Sequence, residues 1–211
     1  MYFNEEAIYN KDNKKAVYIV LMHSGTPLAN IIKKVTNDEF SHACISFNSK
    51  LDPLYSFGSK PDTMDRTHGS IGFVINNPSD SFFLRYKSNF RVYVMYVSNN
   101  AYQLMKERLE YFTKNKDNLK YDFRGLIDIY LGKDSEDHEK YFCSRFVMEI
   151  INKGMELAKV PSLWRPNEIM SLSNISLVNQ GTDFSEYNYR KTDKNCRMIK
   201  IGDYDERKIL L

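Results

Sequence analysis

The chain has 211 residues, 42% of them hydrophobic and 27% charged, enough for one packed core and cramped for two. Its 30 basic residues against 27 acidic ones leave a net charge of +3, too small an excess to point to nucleic acid. Three cysteines, Cys44, Cys143 and Cys196, cannot make a disulfide framework, so reduced thiols in a cytoplasmic setting are expected.

In chain order, the opening Met1 to Glu6 has no basic region and no apolar stretch, so no secretory signal is expected. Ala16 to Met22 is a β-branched and aromatic run that reads as a buried strand. It is far too short to span a membrane, and no integral membrane segment is expected. Thr26-Pro27 looks like a helix cap followed by proline at the first helical position. Leu28, Ile31, Ile32 and Val35 then supply one apolar helix face. Strands are predicted over His42 to Phe47, Leu54 to Phe57, Ile71 to Ile75 and Arg91 to Val97, with turn residues between them. A helix follows from about Ala101 to Lys114, with Tyr102, Met105, Leu109 and Phe112 on one side. Arg124 to Leu131 is a short helix ended by Gly132, and Gly132 to Glu139 a charged loop. Tyr141 to Asn152 is a further helix, stopped by Gly154. Pro166 to Met170 begins a short helix, and Arg197 to Ile201 reads as an edge-like strand. Segregated strands and helices suggest an α+β fold, and without repeats or linkers a single domain over residues 1–211 is expected.

Chemistry concentrates at two places. His42 opens the second strand in Phe40-Ser-His-Ala-Cys-Ile-Ser-Phe47, where His42, Cys44 and Ser46 share a face because strand side chains alternate. Cys143 lies in Lys140-Tyr-Phe-Cys-Ser-Arg-Phe-Val-Met148, near a helix start. A helix N-terminus carries partial positive charge and free N–H groups, which favour a thiolate and can receive an oxyanion. A neighbouring imidazole can take the thiol proton. Each residue also has a plainer reading, Cys143 as a small buried apolar side chain and His42 as a structural strand residue.

The ordered set resembles the permuted NlpC-type cysteine peptidases and amidases, related to the lecithin:retinol acyltransferase-like proteins. The set comprises Ser24-Gly-Thr-Pro-Leu-Ala-Asn-Ile-Ile32, Phe40 to Phe47, Leu54-Tyr-Ser-Phe-Gly58, Tyr121-Asp-Phe-Arg-Gly-Leu126, Tyr141-Phe-Cys-Ser-Arg-Phe-Val147, and then Pro166, Gly181 and Tyr187. It covers about residues 16–190. Papain itself runs Cys before His, whereas the permuted branch runs His before Cys, as here. The resemblance implies a papain-like, circularly permuted α+β fold, a small curved and mostly antiparallel sheet packed against helices. It implies Cys143 as nucleophile, His42 as base, Ser56 in the ring-orienting third position and Tyr121 lining the substrate site, with no metal and no cofactor. The expected activity is cleavage of an amide or ester bond through a thioester, on a peptide, amide or lipid ester substrate. Two departures stand out. Relatives carry His, Glu, Gln or Asn where this chain has Ser56. After the nucleophile, Ser144-Arg145 replaces the Ser-Glu of hydrolases and the Glu-His of acyltransferases. Arg145 is expected to pair with a surface carboxylate, the alternative being an acidic substrate group.

Other chemistries fit less well. His23, His42, Cys44 and Cys143 are metal-ligand types, but no CxxC or HExxH occurs. No glycine-rich nucleotide motif is present. His68 and His138 lie in polar, loop-like stretches and are expected to be solvated. A thiol acyltransferase acting on lipid is one alternative. A non-catalytic binding protein on the same fold is another, its surface drawing on aromatics such as Tyr86, Tyr93 and Tyr96.

Overall fold

The apolar run at Ala16–Met22 lies within β1 (Lys15–His23), and the reason for its uniform apolarity is its central position. Residues 14–23, 38–59, 71–80, 83–84, 87–134 and 137–188 are described by a computed structural model of the chain. The expected helix over Thr26 to Val35 and the strand over Arg197 to Ile201 lie outside these residues, as do His68, Tyr86 and Cys196.

Strands β2 (His42–Ser46), β3 (Leu54–Ser59), β4 (Ile71–Asn76) and β5 (Asn89–Val97) fall where the strand patterns predict them, within about two residues. With β8 (Ile175–Gly181) they form one six-stranded sheet in the order β4-β3-β2-β1-β5-β8, with every pairing antiparallel. The longest ladder joins β1 to β5, from Lys15 opposite Val97 to His23 opposite Asn89. β1 alternates between two buried faces. Val17, Ile19 and Leu21 join Ala43, Ile45, Phe57 and Met95 on one face, against the helices. Tyr18, Val20 and Met22 join Cys44, Leu54, Val92, Val94, Val178 and Phe184 on the other. A strand covered on both sides has no polar face to show.

Helix α1 (Asn99–Lys114) is capped by Ser98, whose hydroxyl accepts from Ala101 N–H, and it buries Ala101, Met105, Leu109 and Phe112. The expected helix over Arg124 to Leu131 is split into α2 (Phe123–Asp128) and a tight 3-10 turn, Ile129–Leu131. Gly132 ends it at a φ of 65°, a left-handed conformation that suits glycine. Helix α3 (Cys143–Gly154) starts two residues later than its sequence pattern and runs through Gly154 instead of stopping before it. α3 packs antiparallel to α1, with Phe112 edge-on to Phe146 at 4.8 Å and Arg108 bonded to Glu149 at 2.9 Å. Pro166–Ser171 is a 3-10 helix.

Three strands have no counterpart in the sequence reading. β8 is one. The others are β6 (Lys120–Tyr121) and β7 (Lys140–Tyr141), two residues each, which pair in parallel and place Tyr121 beside Tyr141 just ahead of Cys143. The observed class is α+β, with a mostly antiparallel sheet and a few helices. Among the described residues, no helix is long and apolar enough to cross a membrane.

Candidate active site

β2 and β3 are in register at Ile45 opposite Tyr55. Antiparallel counting from that pair puts Cys44 opposite Ser56 and His42 opposite Gly58 on one face. The side chains meet accordingly. Ser56 Oγ donates to the Ala43 carbonyl at 2.7 Å and lies 3.0 Å from His42 Nε2. A serine hydroxyl has one proton, and a carbonyl can only accept. With that proton given to Ala43, Ser56 Oγ must accept from His42 Nε2–H. The imidazole is therefore the Nε2–H tautomer, and its Nδ1 carries the free lone pair. The ring also lies against Gly58: a Cβ at that position would sit 3.1 Å from His42 Cε1.

Cys143 is the first residue of α3, behind an extended Phe142 that offers no side-chain cap. The N–H groups at that helix start have no partner one turn earlier. The sulfur lies 3.9 Å from the Ser41 carbonyl, as a donor to it, and the backbone N–H groups of Ala43, Ser144 and Cys143 itself favour its charged form. The thiol thus rests against the main chain beside His42. Tyr121, set by the β6–β7 pair, is close enough for charge on the Cys143 sulfur to affect it. Burial first, then that charge, holds the Tyr121 phenol far above its ordinary range.

No protein-family model matches the chain, and neither does any curated protein.

The electrostatics describe an uncharged resting site. Burial pushes the Cys143 thiol up to about 11, against the pull of the three N–H groups. Burial also takes the His42 imidazole down to about 4. At neutral pH the two groups are a thiol and a neutral imidazole. Cys44 is different. Burial drives its thiol far above the ordinary range, a nearby charge on Cys143 adds to this, and its bond to Ser56 only partly offsets it. It is an inert packing thiol.

Arg145 is neither a surface residue nor open to substrate, which corrects the sequence expectation. It is 2% exposed. Its Nη1 donates to the Lys140 carbonyl at 3.1 Å, and its guanidinium lies 3.8 Å from both Asp122 Oδ2 and Glu149 Oε1 and over the Tyr141 ring. The reason is position: the third residue of α3 faces back toward β7 and α2. Tyr93 is likewise a core side chain, 8% exposed, and adds nothing to an aromatic binding surface. His138 is exposed, and His23 bonds Ser41 Oγ at 3.1 Å. Among the described residues, no three His, Cys, Asp or Glu side chains gather as a metal site. Gly58, Ser41 and Asp122 were missed as site residues. Only Gly58 had a signal, its place two residues after Ser56 and so on the same strand face.

Proposed function

We propose that this chain is a thiol hydrolase that cleaves an amide or ester bond, built on a circularly permuted papain-like fold of the NlpC type. The supporting observation is the 3.0 Å bond between His42 and a Ser56 hydroxyl already committed to Ala43. It leaves Nδ1 as a base. In the proposed reaction Cys143 attacks the carbonyl carbon of a peptide, amide or lipid ester, and its proton passes to His42. The N–H groups of Ala43 and Ser144 stabilise the oxyanion. His42 returns the proton to the leaving amine or alcohol, and water or a second nucleophile resolves the thioester. Ser56 orients the imidazole, and Tyr121 lines the substrate side.

A binding protein on the same fold is the second reading. Two observations favour it: Ser56 brings no charge to support an imidazolium, and burial makes His42 a weak base and Cys143 a weak acid. Iodoacetamide labelling, mapped peptide by peptide, separates the two. For the hydrolase, Cys143 is labelled and Cys44 spared, His42→Ala slows Cys143 labelling at neutral pH, and the rate keeps climbing toward pH 11. Turnover of p-nitrophenyl acetate is lost in Cys143→Ala. Equal, slow labelling of all cysteines that ignores His42→Ala, with no ester turnover, leaves the binding protein.

A further inference from the structure

Asp122 and Arg145 are the only carboxylate and guanidinium side chains among the described residues that are buried, at 3% and 2% exposure. Desolvating a charged pair is expensive, and an apolar pair often packs as well, so a buried pair calls for a reason beyond stability. Its location supplies one. Asp122 directly follows Tyr121, and Arg145 lies two residues beyond Cys143. Asp122 also ties its own segment down twice: Oδ1 accepts from Gly125 N–H at 2.7 Å at the start of α2, and its backbone N–H donates to Tyr141 O at 3.0 Å. Space there is closed, since a Cβ on Gly125 would sit 2.2 Å from Asp122 Oδ2. Arg145 reaches from α3 to the Lys140 carbonyl, to Asp122 and to the Tyr141 ring. The pair joins the chain around Tyr121 to the helix that begins with Cys143.

We infer that Asp122 and Arg145 are positioning residues that clamp Tyr121 beside Cys143 and so set substrate binding. This rests on the hydrolase reading of the same site. They act through Tyr121, so their loss alters what the site holds before it alters the nucleophile.

The test uses Asp122→Asn, which keeps the cap, Arg145→Lys, and the double variant Asp122→Asn/Arg145→Gln, which removes both charges together and guards against a folding defect. For p-nitrophenyl acetate and butyrate, KM rises about tenfold with kcat held within about twofold. Cys143 alkylation by iodoacetamide stays within about twofold of the unaltered protein, because the small reagent needs no binding surface. In a Tyr121→Ala background the clamp variants add nothing further, the signature of one coupled unit. Amide hydrogen exchange quickens over residues 119–126 and not over β1 or β5. The inference is overturned if the KM effects of Tyr121→Ala and the clamp variants multiply, or if exchange is unchanged or rises evenly across the sheet. If the unaltered protein neither labels selectively at Cys143 nor turns over ester, the hydrolase reading fails, and hydrogen exchange alone still decides whether the clamp holds Tyr121.

Discussion

The orientation of one imidazole depends on two small residues. Ser56 gives His42 a hydrogen-bond acceptor without charge, and Gly58 gives it room. A larger group at either place has a definite consequence. Gly58→Ala puts a methyl 3.1 Å from His42 Cε1, closer than packed carbons normally sit, so the ring must give way by a few tenths of an ångström. The expected outcome is a fall of about tenfold in ester turnover, since catalytic groups lose rate steeply with misplacement. Thermal stability stays within a few degrees. Ser56→Ala removes the acceptor and frees the ring to change tautomer, with an expected loss of about 10- to 100-fold in kcat/KM. Steady-state kinetics with p-nitrophenyl acetate checks both. These residues differ in how far sequence could reveal them. Ser56 is implied by the family resemblance of Leu54-Tyr-Ser-Phe57 and bonds His42 here, whereas the 3.1 Å approach at Gly58 exists only once β2 and β3 are in register. Arg145 was misplaced for a related reason. Charge predicts a surface location, and only the β6–β7 pair creates a buried carboxylate and carbonyl to receive it.

Among the elements, α1 and α3 both pack against the sheet, and they approach each other tightly at a glycine. A Cβ on Gly154 would lie 2.5 Å from the Ala101 carbonyl oxygen and 2.8 Å from Met105 Cγ. Backbone cannot yield as a side chain can, so Gly154→Ala is expected to cost about 1–3 kcal/mol. At about 2–4 °C per kcal/mol for a chain of this size, a melt by circular dichroism shows the drop. Cys143 is at the far end of the helix, so turnover per folded molecule is expected to be unchanged. Long periodic segments such as α1 and the β-branched runs of β1 and β5 were legible because their pattern repeats over several turns or pleats. β6 and β7, at two residues each, have no period to read, and β8 carries Ser176, Asn179 and Gln180 where a strand pattern wants apolar residues. Those strands are specified by their neighbours. β8 follows β5 through a register shift at Val92/Tyr93.

At the scale of the whole molecule, burial of uncharged groups makes stability depend on pH in two windows. An unfolded His42 takes a proton below its ordinary 6.5, whereas the folded one does so only near 4. Between those values the unfolded chain binds more protons, so stability falls as pH drops from about 6.5 to about 4, by up to about 3 kcal/mol. Cys143 works in the opposite direction of pH. The unfolded thiol ionises near 9 and the folded one near 11, so stability also falls as pH rises between them. Melting temperature is expected to be highest from about pH 6.5 to 9, and His42→Gln should flatten the acid limb alone. A melting curve whose acid limb is the same in both proteins would rule out His42 as its cause. The sheet order has a consequence of another kind, in the chronology of synthesis. His42 and Ser56 are 14 residues apart and can meet soon after they leave the ribosome, while Cys143 must travel back 102 residues to reach Ser41. Until then Ile19, Ile45 and Phe57 have at most α1 over them, and the nascent sheet is a surface for chaperones to shield. The candidate thiol and the second part of that cover arrive together, on α3, so a half-made chain is sticky before its candidate site is assembled.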